Sequence, residues 1–486
     1  MPDRIVSTPL LALLLAACAV GPDYQPPADT APEHFIHQPP ATEAATPPQT
    51  ALQMQARFWN GFNDPMLAQL VLNTLDNNQE LTAALAHYQR SAAQLQAAKR
   101  NLLPRGSVAA DATESHLPQV ERLSADGAER IERYQVAGAL SWELDLFGRL
   151  QRIREGRQAQ LDASAADLEA LQITLVAQLA AQYFELRGRQ QQLQVAIQNL
   201  RLQRESLAIV TARVQAGRST RFDQVRAQAQ MESTAAILPQ LQADIAALMH
   251  RIATLSGLPA GHLNAQLGLV QDLPRQLPAV DLDTPAEVLR RRPDVRAAER
   301  ELAARTAAIG AAQAQWFPRL ELSALVGSVA ADPGDLFTGA SASRRAGLSI
   351  HWPLLDFGRV SALVDSADAD ARAALARYRQ TVLIALEETE TELVRYQQSQ
   401  HRTAALERSA NAAATAAQLA RTRYGQGYID FFEVLAAEQE LIEIQGARVQ
   451  SRTEQTLAMV NLYRAMAGPP GGFTPVSALP YNRPRG

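Results

Sequence analysis

The chain has 486 residues, 47% of them apolar and only 5% aromatic. The length leaves room for about three average domains, and the apolar share suffices for a sizeable core. A formal net charge of −4 gives no electrostatic case for nucleic acid as a partner, and the single cysteine, Cys18, excludes intrachain disulfides and CxxC metal or redox sites.

Residues 1–17 read as a signal peptide. Arg4 is a thin positive start, weakened by Asp3, and the apolar run from Leu10 to Ala17 is too short to span a membrane. Leu15-Ala16-Ala17-Cys18 resembles a bacterial lipobox, which makes Cys18 the expected lipidation site. The plainer alternative is an ordinary signal peptide that contains a cysteine. Ala19, rather than an aspartate, follows it; among sorted lipoproteins that pattern goes with the outer membrane. Residues 18–60 are rich in Pro, Ala and Thr and read as a lipid-anchored strap with no core of its own.

The next four hundred residues repeat one plan. "SWELDLFGR" at 141–149 returns as "HWPLLDFGR" at 351–359. Trp142 and Trp352 are 210 positions apart, Gly217 and Gly427 again 210, and Pro104 and Pro318 are 214. A period this long is duplication of a whole structural unit, not a solenoid repeat. The first repeat, 61–270, holds a helical segment over 65–102, strands at about 103–117 and 132–145, a long helix 148–215 and a helix 221–256. The second, 271–467, holds a helix 294–316, strands at about 317–331 and 343–356, a long helix 358–424 and a helix 430–467. A Pro/Gly-rich tail, 468–486, closes the chain and reads as irregular; the family resemblance given below implies an equatorial place for it around the helices.

The long helices carry an apolar seam. Leu161, Ala165, Leu168, Leu171, Leu175, Leu179 and Leu186 step by three, four or seven, as do Leu375, Tyr378, Val382, Leu386, Leu393 and Tyr396. Helices of this length point to coiled-coil packing, and a soluble coiled coil satisfies the seam alone. The strands change the argument. Tyr134, Val136, Gly138, Leu140, Trp142 and Leu144 alternate with Gln135, Ala137, Ala139, Ser141, Glu143 and Asp145; Leu320, Leu322, Ala324 and Val326, then Ala346, Leu348, Ile350 and Trp352, repeat the pattern. These strands have the length of tilted membrane strands with an aromatic at one end. A soluble sheet packed on helices is the rival reading. In lipid, four strands cannot close a barrel, and two chains close one whose interior side chains fill; three chains give twelve strands and an open lumen.

The ordered phrases resemble the TolC-like outer-membrane factors, in their lipoprotein branch of the OprM and NodT type. "RRRPDVRAAERELAARTAAIGAAQAQWFPRLELS" at 290–323, "RTRYGQGYIDFFEVLAAEQ" at 421–439 and "GPDYQPP" after Cys18 carry the resemblance, which covers roughly 21–468. It implies a mainly α fold with membrane β: a homotrimer whose twelve-stranded outer-membrane barrel, four strands per chain, continues as a long α-helical barrel through the periplasm. It also implies a passive duct of a tripartite pump for drugs or other toxic small compounds. The implied partners are a periplasmic adaptor, an inner-membrane pump and the lipid bilayer, with neither cofactor nor metal. A conduit for type I protein secretion and a pore-less lipid-anchored helical scaffold are the alternatives.

Within that reading Trp142, Trp352, Trp316, Phe147 and Phe357 sit at the membrane interface. Arg213, Gly217, Asp223, Arg423, Tyr424, Gly427 and Asp430 form the periplasmic tip and gate. In a trimer one axial acid becomes a ring of three, a cation-selective constriction, with Asp430 favoured over Asp223; ordinary acid placement at a helix N-terminus accounts for both without a ring and is the simpler reading. Arg290, Arg291 and Arg292 read as a solvated helix end before Pro293. His34 and His37 lie in the strap and are not expected to bind metal. No nucleophile elbow, HExxH, phosphate loop or paired carboxylates occur, so no catalytic residue is assigned.

Overall fold

The computed structural model describes residues 19–28, 31–37, 61–118, 120, 130–278 and 284–467. The signal peptide, Cys18 and the 468–486 tail lie outside the described residues, as does the strap from 38 to 60. In chain order the elements are α1 (Pro65–Asn77), α2 (Gln79–Arg100), β1 (Arg105–His116), β2 (Arg130–Leu144), α3 (Arg149–Gln215), α4 (Arg221–Leu255), α5 (Asn264–Leu267), α6 (Pro285–Arg291), α7 (Pro293–Gln313), β3 (Arg319–Ala330), β4 (Ala342–His351), α8 (Arg359–Gln426) and α9 (Phe431–Ala465). The protein is mainly helical with one antiparallel sheet.

Two of these boundaries depart from the sequence reading. The helix over 65–102 is in fact two helices, broken at Asn78. Asn78 Oδ1 accepts from the backbone N–H of Glu80 (2.8 Å) and Leu81 (3.2 Å), and its amide donates to the Leu255 carbonyl (2.9 Å). A side chain that caps α2 cannot also continue α1. β4 stops at His351 instead of reaching 356, because Pro353 has no N–H for a ladder and the chain turns toward α8.

The chain divides into two compact units, and each sequence repeat contributes to both. The first unit draws on Met1–Ala28, His87–Ser164 and Ala297–Arg379 and contains the sheet, in the order β1-β2-β3-β4. Its central pair joins the repeats: Trp142 of β2 lies opposite Leu322 of β3, which lies opposite Leu348 of β4. Directly opposed residues share a face. Leu140, Trp142, Leu322, Val326, Leu348 and Ile350 therefore fall on one face, and Gln135, Ser141, Glu321, Ser323, Arg345 and Ser349 on the other. Within the chain the apolar face stays open: Val108 is 82% exposed, Val326 61% and Ile350 65%.

The second unit draws on Asp29–Ala86, Ala165–Arg296 and Gln380–Gly486. Its core packs Leu175, Leu179 and Leu186 of α3 with Leu67, Ile252, Leu267 and Met459. Arg187 is buried in that core at 1% exposure. Its guanidinium donates to the carbonyls of Leu267 (3.2 Å) and Leu269 (2.7 Å) and lies 4.7 Å from the Tyr183 ring centroid. Tyr183 in turn donates to Asp64 Oδ2 at 2.5 Å, while Asp64 Oδ1 caps α1. Burial and the Asp64 carboxylate both hold the Tyr183 phenol well above its usual range.

The arginine run also differs from its reading as a solvated helix end. Arg290 is exposed, but Arg292 is 6% exposed and bonded on every side. It donates to both oxygens of Asp294 (3.0 and 2.7 Å), to Glu388 Oε2 (2.8 Å) and to the Ala465 carbonyl at the end of α9 (3.0 Å). Burial works against its charge; the Asp294 and Glu388 carboxylates outweigh that and hold its pKa above the usual value. The arginine ties α6, α8 and α9 together. Replacing Arg292 by Ala removes several charge-assisted bonds at once and is expected to cost about 2–4 kcal/mol, read as a lower midpoint for urea unfolding. Arg292→Lys, which loses the bidentate fork, recovers only part of that loss.

Candidate functional site

The two copies of the repeated phrase build the same junction. Trp142 Nε1 donates to the Leu102 carbonyl and Trp352 Nε1 to the Trp316 carbonyl, each at 3.0 Å. Both acceptors stand two residues ahead of the landmark prolines, Pro104 and Pro318. Each indole therefore pins the end of one strand to the end of the helix that feeds its neighbour. The acid then starts the next helix. Asp145 accepts from the N–H groups of Leu150 (2.9 Å) and Gln151 (2.7 Å); Asp356 accepts from Gly358 (3.1 Å) and Val360 (2.8 Å). In the first copy Arg149 adds a two-bond pair with Glu143, at 3.0 and 2.7 Å; the second has Pro353 at the matching position. These partners were missed from sequence. The aspartate before Phe-Gly or Leu-Phe-Gly in both phrases was the available signal.

The aromatics expected at a membrane interface are distributed unevenly. Trp316 and Trp352 are about half exposed and Phe357 is 98% exposed. Trp142 and Phe147 are half-buried, with Phe147 stacked on Phe317 at 4.7 Å between centroids.

The start of the strap is seated beside the first junction. Val20 N–H donates to the Phe147 carbonyl (3.2 Å). Arg152, itself buried, donates to the carbonyls of Val20 (3.1 Å) and Gly21 (3.0 Å) and to Asp23 Oδ1 (2.8 Å). Gly21 has φ +100°, and a Cβ there would lie 2.3 Å from Gly310 Cα. The chain immediately after Cys18 is thus locked into a slot that only a glycine fits. Further along, Phe35 enters an apolar socket with Val288, Leu393 and Leu462, and the His37 ring nitrogen meets Glu390 at 3.2 Å.

At the helical turns α3–α4 and α8–α9 the duplication is again legible. Arg218 N–H bonds the Arg213 carbonyl (2.8 Å) and Gly217 N–H the Val214 carbonyl (3.0 Å); Tyr428 to Arg423 (3.0 Å) and Gly427 to Tyr424 (3.1 Å) repeat the pattern. This is a Schellman ending, with Gly217 at φ +68° and Gly427 at +81°. The structure brings Arg213 and Tyr424 together. The guanidinium sits 4.0 Å from the ring centroid and donates to the Tyr424 carbonyl at 2.9 Å. Tyr424 is buried among Val210, Ala227, Phe431 and Val434, and its hydroxyl has no partner among the described residues.

The two acids differ. Asp223 closes a capping box: its carboxylate accepts from Thr220 N–H (3.1 Å), Thr220 Oγ1 (2.7 Å) and Ser219 Oγ (2.9 Å). Burial alone would raise its pKa, but these bonds outweigh it and hold the acid below its usual range. Asp430 stands at the corresponding start of α9, exposed, with no side-chain cap bond. Arg423 is exposed. Phe222 and Phe432, which close the two expected tip segments, are exposed; missed from sequence is the Arg226 guanidinium they share, 5.5 and 4.9 Å from their rings. Among the described residues no group of His, Cys, Asp and Glu is placed to hold a metal, and no helix is long and apolar enough to cross a membrane.

Comparison with known proteins matches this architecture. A family model described as outer membrane efflux protein matches residues 70–258 and 284–468. Nodulation protein T of Rhizobium leguminosarum bv. trifolii is 31% identical over 466 residues, covering 94% of this chain and 96% of that protein. Outer membrane protein OprJ of Pseudomonas aeruginosa is 30% identical, with 95% of each chain covered. The solved structure of the outer-membrane channel OprN superposes with a TM-score of 0.84 at 38% identity, covering 94% of this chain and 99% of that one.

A Cβ at Gly217 or Gly427 would meet nothing within 4 Å, so the cost of Gly217→Ala or Gly427→Ala is the left-handed backbone alone. Each is expected to destabilise its turn by about 1 kcal/mol, seen as faster amide exchange confined to the turn with the global unfolding midpoint little changed.

Proposed function

The chain belongs to the outer membrane efflux protein family, and from that membership we propose that three copies pool their sheets into one twelve-stranded barrel continued by a common helical tunnel. The protein is an outer-membrane channel for efflux. Its finer role is that of a passive exit duct for drugs or other toxic small compounds. An inner-membrane pump supplies the energy, a periplasmic adaptor joins the two at the α3–α4 and α8–α9 turns, and lipidated Cys18 anchors each copy.

The observation that carries this reading is the sheet. Its apolar face is open in the single chain, and β1 and β4 each pair along one side only. Unpaired strand edges are not tolerated in hydrocarbon, and closure by three chains leaves a lumen where closure by two does not. The strap supports the anchor: the residues after Cys18 are held at the strand–helix junction, where a lipid chain would enter the bilayer. The same face argues against a pore-less scaffold, which has no use for an exposed apolar sheet. A protein-secretion conduit shares the geometry, and the efflux relatives favour the small-molecule duct.

Native mass spectrometry of the full-length protein is expected to give trimers that conduct in planar bilayers; a monomer retaining the outer-membrane fraction would overturn the shared barrel. Asp430→Ala is expected to raise single-channel conductance and weaken cation selectivity, since its carboxylate is free for an axial ring. Asp223→Ala is expected to loosen the start of α4 with little change in selectivity. Unchanged conductance in Asp430→Ala removes Asp430 from the gate.

A further inference from the structure

The first unit contains a cavity of about 550 Å³ between the strap, the end of α2, the first turns of α3 and the middle of α7. Its floor is small and apolar, made of Ala159, Ala303 and Ala307. Its rim is charged, and most of those charges are already matched. Arg152 holds Asp23 and Glu155 (2.8 and 2.9 Å). Asp162 accepts from the neutral Gln158 amide (2.9 Å) and keeps its negative charge. Arg300 pairs with Glu299 and lies 5.5 Å from the Tyr24 ring. Two rim cations remain, Lys99 and Arg154, whose side chains make no hydrogen bond or ion pair among the described residues.

We propose that this cavity binds the phosphate headgroup of a glycerophospholipid from the periplasmic leaflet, with Lys99 and Arg154 as its phosphate ligands. Two cations whose side chains have no partner among the described residues suit an anionic oxygen group and repel a metal ion. The level is right as well. Lys99 lies in the last turn of α2, whose chain enters β1 at Arg105. At about 1.5 Å per helical residue it sits within roughly 10 Å of the sheet, and Arg154, ten residues past the end of β2, within roughly 15 Å. The headgroup layer extends about 5–8 Å beyond the hydrocarbon on each side, and the long lysine and arginine stems reach back toward it. The cavity also abuts Pro22, Asp23 and Tyr24 of the strap, so a bound lipid would lie beside the anchored terminus.

This inference rests on the outer-membrane reading, and its test separates the two. Full-length protein in detergent micelles is titrated with phosphatidylglycerol, and bound lipid per chain is counted by native mass spectrometry. Wild type is expected to retain lipid at a saturable site. Lys99→Gln/Arg154→Gln is expected to weaken retention at least tenfold while still fractionating with outer membranes and conducting as wild type does. Millimolar inorganic phosphate is expected not to displace the lipid. Retention unchanged in the double variant, no saturable site in wild type, or displacement by free phosphate alone each overturns the lipid assignment, the last in favour of a simple anion site. Failure of wild type to enter outer membranes would instead overturn the reading beneath it.

Discussion

A β-strand in hydrocarbon must have its backbone N–H and C=O groups paired, because no water is present to take their place. Most of this chain's architecture follows from owning four strands under that constraint. The inner edges of β2 and β3 are matched within the chain, across the repeat boundary, while the outer sides of β1 and β4 await a neighbour. The duplication makes sense on these terms. Each repeat brings one hairpin's worth of strand, and the cross-repeat pairing turns two hairpins into a continuous sheet that a neighbouring copy can extend.

The second requirement is to leave the sheet without leaving backbone groups orphaned. Each strand-to-helix passage meets it with the same short phrase. An indole N–H satisfies a helix-end carbonyl, and a carboxylate satisfies the first N–H groups of the next helix. The acid is shifted by one residue between copies, Asp145 against Asp356 counted from the tryptophan, and one bond is common to both: Leu150 and Val360 hold corresponding positions, whereas Gln151 and Gly358 do not. What the two copies share is the cap rather than the letter-by-letter alignment.

Much of the fold was legible because lipid-facing strands and long helices write strong periods. The alternation through 134–145 corresponds to β2, and the leucine seam through Leu168, Leu175, Leu179 and Leu186 lies in the core of the second unit. β1 was faint because Val108 is its only large apolar residue among alanines and polar groups. The break at Asn78 was hidden because asparagine reads as one more polar helix position until its side chain is seen capping. Arg292 was misread for a different reason. Its partners, Glu388 and the Ala465 carbonyl, are far away in sequence, and a backbone carbonyl has no letter at all. The turns were placed by their glycines, but only geometry separates Asp223, engaged in a cap, from Asp430, which is free.

The contact between Arg213 and Tyr424 has a mechanical corollary. One residue near the end of α3 grips both the ring and the carbonyl of another near the end of α8, so the two loops are yoked. Pulling on either one drags its companion or first snaps that tie. A protein that grasps a single loop thereby gains leverage over the pair, and the two ends of each chain act as one lever.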